Sequence, residues 1–325
     1  MKTLSILGCG DFLRWQSNDI KDSGLSVRYC FDPDQARAAK FAEQLGGQVA
    51  SSADVIFADE ATDAVALFVP PWVRRPLLEE ATAAGKHLLL TKPLASTVSE
   101  CDAILAAVDK AGVRAGVIYS RTGDAFVETV KDVLESGRFG RLALYRQDWL
   151  HAYPQWNNWA TDPEKNGGPF MDAMIHNLNA ANYLMGRPAT GCHFFSDRLS
   201  HPDMACADTE QMVLRYEGGG MSHLFITWAA DLATYGTEGN DREHIDLFYM
   251  VTDQGWRLTK ESKDSKPHLK ASREGKDEWI AVQAPEKNHY QAFAEAVRDN
   301  APLPRVLVPL DDARADIERV RAKPL

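Results

Sequence analysis

Along the first third of the chain, short and nearly uninterrupted apolar runs alternate with stretches whose apolar residues recur every three or four positions. The runs are residues 4–7, 25–31, 64–69, 87–90 and 113–118. Each is too short for a helix and rich in aliphatic residues, a pattern that predicts strands buried on both faces. Between them, residues 34–45 put Ala38, Phe41, Ala42 and Leu45 on one helical face and stop at Gly46-Gly47. Residues 75–84 before Gly85 and 98–111 before Gly112 repeat that grammar of a helix closed by glycine. Strand–helix alternation of this kind predicts a doubly wound α/β domain around a parallel sheet.

After residue 118 the pattern changes. A helix over 126–136, closed by Gly137, precedes a strand over 142–149, an irregular stretch rich in Trp, Tyr, Pro and Asn, and a second helix over about 169–185. From 190 to 260 the apolar positions follow period two, which predicts antiparallel strands at 209–216, 221–228, 244–251 and 256–260, with turns at 217–220 and 252–255. The charged stretch 260–276 reads as a solvated loop or hairpin, and helices over 288–298 and 310–322 close the chain. Two domains follow from this: a doubly wound domain over 1–120, and an α+β domain with an open, largely antiparallel sheet over 121–325.

Composition narrows the function classes. The 325 residues are 45% hydrophobic and 25% charged, an ordinary globular balance. Thirty-six basic against forty-six acidic residues leave a net charge of −10, with no basic run, so neither nucleic acid nor an anionic membrane is an expected partner. No apolar run approaches the ~20 residues that cross a bilayer, and the N-terminus lacks the apolar stretch of a secretory signal. Five scattered cysteines without a C-x-x-C pair predict reduced thiols rather than disulfides or structural zinc, which suits a cytoplasmic protein.

Three motifs carry chemistry. Directly after the first strand stands Gly8-Cys9-Gly10-Asp11-Phe12-Leu13, where Gly-x-Gly opening a helix lets backbone N–H groups approach a pyrophosphate. Leu13 fills the position of the third small residue, and a tight turn needing glycine is the competing reading. Asp32, at the end of the second strand, is either the acid that binds a ribose or a helix cap ahead of Pro33. Lys92, in Thr91-Lys92-Pro93, sits at the carboxyl end of a buried strand, where doubly wound sheets bind ligands; a lone lysine is more often a solvated loop residue. Finally, Gly167-Gly168-Pro169-Phe170-Met171-Asp172-Ala173-Met174-Ile175-His176 spaces an acid and a histidine four apart on one helical face, where a carboxylate can orient an imidazole that carries a proton. A solvent-facing pair is the alternative. No third His or carboxylate has metal-ligand spacing, so no metal is expected.

Taken together, these motifs resemble the Gfo/Idh/MocA family of NAD(P)-dependent oxidoreductases. The likeness extends to the segment from Asp63 to Pro70, the strand from Ala84, the turn Glu135–Gly140 and the helix from Tyr290 to Arg298. It implies that Gly8 and Gly10 contact pyrophosphate and Asp32 the adenosine ribose, and that Lys92 lies between nicotinamide and substrate with a cis peptide to Pro93. Asp11, Phe12, Pro70 and Thr91 join the expected cofactor contacts. Asp172 and His176 fall on the family's acid and histidine, with His176 the expected proton acceptor and Asp172 orienting the pair. Departures are Thr91 for the usual Glu, Pro71 and Arg74 where many members carry Asn and His, and Asn179 for a common Asp.

The implied activity is hydride transfer between NAD, in preference to NADP, and a carbinol carbon of a sugar or polyol. An NAD-using glycosidase and a non-catalytic dinucleotide sensor are the alternatives. Arg121, Tyr153, Trp156, Trp159 and His176 are the expected substrate contacts. The aromatic stretch 149–159 offers flat walls beside amide and imidazole groups, although such a stretch equally serves as a loop anchor or a subunit interface. The resemblance also implies a homo-oligomer, dimer or tetramer, formed through the open sheet.

Overall fold

The computed structural model describes residues 1–152, 159–230 and 245–322. The chain forms two compact units, one of Met1–Tyr119 with Glu286–Ile317 and one of Ser120–Pro285 with Glu318–Leu325.

In the first unit, β1 (Thr3–Leu7), β2 (Ser26–Phe31), β3 (Gln48–Val49), β4 (Ala64–Leu67), β5 (His87–Thr91) and β6 (Ala115–Ile118) form one parallel sheet in the order β3-β2-β1-β4-β5-β6. Its helices are α1 (Asp11–Asp22), α2 (Gln35–Leu45), α3 (Ala53–Ala58), α4 (Pro71–Ala83) and α5 (Val98–Ala111). Every residue of β4 is buried, as its unbroken Ala-Val-Ala-Leu requires of a strand between two others. Helix ends follow local chemistry. Asp34 accepts the N–H groups of Ala36 and Arg37, Thr97 and Glu100 form a reciprocal capping box, and Gly46 and Gly112 close their helices with positive φ. Strand order reverses between β1 and β4, so the carboxyl ends of these two strands flank the crevice where open α/β sheets take ligands.

The second unit contains α6 (Ala125–Glu135), β7 (Leu142–Leu150), a π-helical turn (Phe170–Met174) that runs into α7 (Ile175–Met185), and β8 (Ala189–Asp197), β9 (Thr209–Tyr216), β10 (Met221–Thr227), β11 (Ile245–Thr252), β12 (Arg257–Lys263), β13 (Lys266–Arg273) and β14 (Lys276–Ala281). The sheet order is β14-β13-β12-β11-β7-β10-β9-β8; β7 and β10 run parallel and the other neighbours antiparallel. One face buries Tyr145, Trp149, Met212, Leu214, Leu224, Ile226 and Met250 in the core. The expected strand start at His244 lies outside the described residues. The charged stretch 260–276 is a hairpin: β12 and β13 pair through to Lys263 and Lys266, leaving a two-residue turn.

The chain then returns through α8 (His289–Arg298) and α9 (Leu310–Arg321). The division falls at Tyr119/Ser120, next to the expected boundary, but Glu286–Ile317, expected in the second domain, groups with the first unit. Val117 and Val308 exchange both backbone hydrogen bonds at 2.9 Å, and Tyr290, Phe293 and Leu307 lie in the first unit's core. Among the described residues no helix is long and apolar enough to cross a membrane.

The β12–β13 turn holds Asp264 and Ser265 at φ 52° and 57°, a conformation that Asn-Gly adopts with less strain. Combining Asp264→Asn with Ser265→Gly should therefore stabilise the protein by about 1 kcal/mol, read as a higher urea midpoint at unchanged m-value.

Candidate active site

The glycine turn after β1 is set by a close approach of two backbones. Gly8 has φ +96°, and a Cβ there would lie 2.4 Å from the Phe68 carbonyl oxygen, so no other residue fits. Gly10 differs: a Cβ there would meet nothing within 4 Å. It is the N-cap of α1 and offers no side-chain hydrogen bond to the first amides of this 12-residue helix. That suits a phosphate group. Leu13, the departure from the small-residue pattern, is fully buried in the core beneath α1, and Phe12 stacks edge-on against Phe68 at 4.9 Å. Asp11 is exposed and 3.8 Å from Arg14.

Asp32 is not the cap of α2; Asp34 is. One Asp32 carboxylate oxygen accepts the Cys9 N–H at 2.8 Å and the other accepts the Asp34 N–H at 2.9 Å, so Asp32 ties the glycine turn to the end of β2. Cys9 is itself buried, and a hydrogen bond with Cys30 together with burial raises its thiol far above the usual range, which keeps it protonated.

Lys92 follows β5, half-buried, with its N–H donated to the Ile118 carbonyl at 3.3 Å; the Lys92–Pro93 peptide is cis. Thr91 is buried at the strand end. Pro70 is exposed at the N-cap of α4. The loop after Lys92 is held by Arg74 of α4, a fully buried guanidinium. It donates Nη1 to the carbonyls of Pro93 and Leu94, the latter at 2.9 Å, and Nη2 to the Val69 carbonyl at 2.7 Å. Burial lowers Arg74 to about 10, leaving it charged at neutral pH. The residue noted only as a departure from the family pattern thus ties together the loops at the carboxyl ends of β4 and β5.

In the second unit, Asp172 lies within the π-helical turn and His176 at the start of α7, both half-buried. Asp172 Oδ1 accepts Nδ2 of the buried Asn166 at 3.0 Å. His176 Nδ1 accepts the Ser120 N–H at 3.0 Å. An acceptor at Nδ1 places the neutral ring's proton on Nε2. Arg121 donates to the Asn177 side chain at 3.2 Å and lies 5.5 Å over the Trp149 ring, which is buried. Thr122 donates its hydroxyl to Asn179 at 2.7 Å, so the asparagine that departs from the family's Asp is buried in a structural bond. Trp159 is half-buried, and Tyr153 and Trp156 lie outside the described residues. Ser120 and Asn166 carried no motif and Arg74 stood out only as a departure from one; Ser120 meets His176 from 56 positions away, and Arg74 meets Pro93 and Leu94 from 19 and 20.

Residues 2–119 match the family described as "Oxidoreductase family, NAD-binding Rossmann fold", and residues 127–242 match the "GFO/IDH/MocA C-terminal domain". The chain belongs to the Gfo/Idh/MocA oxidoreductase family. It is 30% identical over 167 residues to the uncharacterised oxidoreductase YrbE of Bacillus subtilis, an alignment covering 50% of this chain and only 48% of that protein. With 1,5-anhydro-D-fructose reductase of Ensifer adhaerens it shares 24% identity over 251 residues, covering 74% and 75% of the two chains. An oxidoreductase from Agrobacterium radiobacter, crystallised with NAD+, L-tartaric acid and magnesium, superposes with a TM-score of 0.80 at 19% identity over 99% of this chain and 94% of that one. The Gfo/Idh/MocA fold is therefore present in both units, and its NAD-binding half carries a helix N-terminus whose uncapped amides and absent Cβ fit a dinucleotide phosphate.

The two glycines of this turn separate by experiment. Gly8→Ala should cost about 2–4 kcal/mol of stability, from positive φ and overpacking together. Gly10→Ala should leave the unfolding free energy in urea within about 0.5 kcal/mol of wild type while weakening NAD binding in a fluorescence titration, because the added methyl meets no protein atom within 4 Å.

Proposed function

We propose that the protein is an NAD-dependent oxidoreductase that moves a hydride between C4 of nicotinamide and a carbinol carbon of a sugar, polyol or related carbohydrate. The observation that carries this reading is the anchored Asp172–His176 pair, with Asn166 on the acid and the Ser120 amide on the imidazole. It gains support from the relative named 1,5-anhydro-D-fructose reductase and from the NAD+ complex of the structural neighbour.

Nicotinamide, when bound, supplies or takes the hydride. The chain's residues handle the proton. Because His176 Nδ1 accepts from Ser120, its Nε2–H is a donor to the substrate oxygen, and the division of labour differs from the expected one. Lys92, at the carboxyl end of β5, would hydrogen-bond the reacting oxygen and exchange the carbinol proton with it. Asp172 aligns the substrate hydroxyls beside the imidazole. Asp32 accepts a ribose hydroxyl and repels a 2′-phosphate, while Arg37 is occupied 3.2 Å from Asp34, so NAD is the preferred cofactor. The protein further assembles as a dimer or tetramer through the open face of the second sheet, where Phe195, Met221, Ile245 and Leu247 are exposed.

Turnover of a panel of polyols and sugar ketones with NAD and with NADP tests the reading. Lys92→Ala should lower kcat by about 10²–10⁴-fold with NAD affinity kept, and His176→Gln, which retains an N–H donor, should keep more activity than His176→Ala. Glycoside cleavage without net change in NAD would instead identify the glycosidase, and tighter NADP binding would remove the role given to Asp32. Light scattering of wild type and Leu247→Asp checks the assembly, with a shift to monomer expected for the variant.

A further inference from the structure

The start of the helix that bears Asp172 and His176 is anchored by a side chain that no motif singled out. Glu210 stands on β9 in phase with Met212, Leu214 and Tyr216, the face turned to the core, and its side chain is buried. Its Oε2 accepts the Phe170 N–H at 2.6 Å, the first residue of the π-helical turn. Gly168 gives it room: a Cβ there would sit 3.2 Å from both carboxylate oxygens, at a φ of +121°. Gly167 is crowded from the other side, where a Cβ would lie 3.0 Å from Pro163 Cα and 3.2 Å from Arg321 Nη1. The paired glycines therefore seat a buried acid against a helix start. Arg321 also donates to the Asn166 carbonyl at 3.4 Å, and Asn166 in turn holds Asp172.

We infer that Glu210 is a positioning residue for the Asp172–His176 pair, acting through the Phe170 amide that it anchors. The inference rests on the catalytic reading of that pair given above.

The groups facing Glu210 are the Phe170 amide, the Arg321 guanidinium, the Ser196 hydroxyl of β8 and the thiol of Cys206, itself held protonated chiefly by burial. Burial raises the Glu210 carboxyl to about 7, against the pull of the Phe170 amide, the Arg321 charge and the Ser196 hydroxyl. An ionised carboxylate makes the shorter and stronger bond to an amide, so the helix start is held harder above neutral pH than below it. Stability runs the other way. The folded carboxyl binds its proton more tightly than the unfolded one, so its contribution is full below the unfolded value near 4.5 and is lost as pH rises through about 7.

The test compares the full-length variants Glu210→Gln, which keeps the reach and loses the charge, and Glu210→Asp, which keeps the charge and loses the reach. In the cofactor-free protein, the Phe170 amide proton resonance should titrate near pH 7 in wild type and stay flat in Glu210→Gln, and the His176 ring nitrogen resonances should move in Glu210→Asp. With substrate, Glu210→Asp should lose about 10- to 100-fold in kcat at unchanged NAD affinity. Glu210→Gln should stay within about threefold of wild type near neutral pH and lack one inflection of the wild-type kcat profile near pH 7. His176 resonances unmoved in Glu210→Asp would overturn the inference whatever the activity. So would variants that change only the melting temperature, with kcat and its pH profile intact. If wild type turns over no substrate, the catalytic reading fails on its own, and the resonances still decide whether Glu210 positions His176.

Discussion

The Phe68 carbonyl oxygen lies where the side chain of residue 8 would begin. This approach is available only because β1 and β4 are neighbours, paired in parallel from Leu4 with Ala64 to Leu7 with Leu67. Their adjacency is also the place where the strand order reverses. A single steric constraint thus fixes the glycine, the tight turn behind it and the direction in which α1 leaves the sheet. Asp32 then locks the turn to β2 through the Cys9 amide. Gly8 is thus needed by the fold itself, whereas a side chain at Gly10 would meet nothing within 4 Å.

Both units use a buried ionisable side chain held by backbone groups to position a loop or a helix start. In the first, Arg74 gathers three carbonyls from the loops after β4 and β5; in the second, Glu210 takes the Phe170 amide. A buried charge with fixed dipoles around it is a stiff anchor, since any relaxation that lengthens its bonds exposes an uncompensated ion to a low-dielectric surrounding. Aliphatic packing is less directional.

The Ser120 amide has a comparable influence on His176. One backbone bond decides which ring nitrogen carries the proton, and so whether the residue acts as donor or acceptor. Identity and spacing along the sequence permit either role, and the tautomer follows from a partner contributed by the loop after β6.

By itself the sequence determined most of the elements and singled out the candidate site residues. The apolar runs marked β1, β2, β4, β5 and β6, glycines marked helix ends, and the alternation at 209–216 and 221–228 marked two strands of the second sheet, because periodicity and capping are local properties. Gly8, Gly10, Asp32, Lys92, Asp172 and His176 stood out because each sits in a short motif. What only the tertiary structure decided depends on partners far apart in the chain. The return of α8 into the first core, the parallel pairing of β7 with β10, the three carbonyls on Arg74 and the Ser120 bond to His176 have no local signature. Glu210 left a trace, a charged residue in the inward phase of an otherwise apolar strand face. Its partner, forty residues earlier in the chain, is a backbone amide, and a backbone amide is the same at every position except proline, so no reading of side chains along the sequence could have named it.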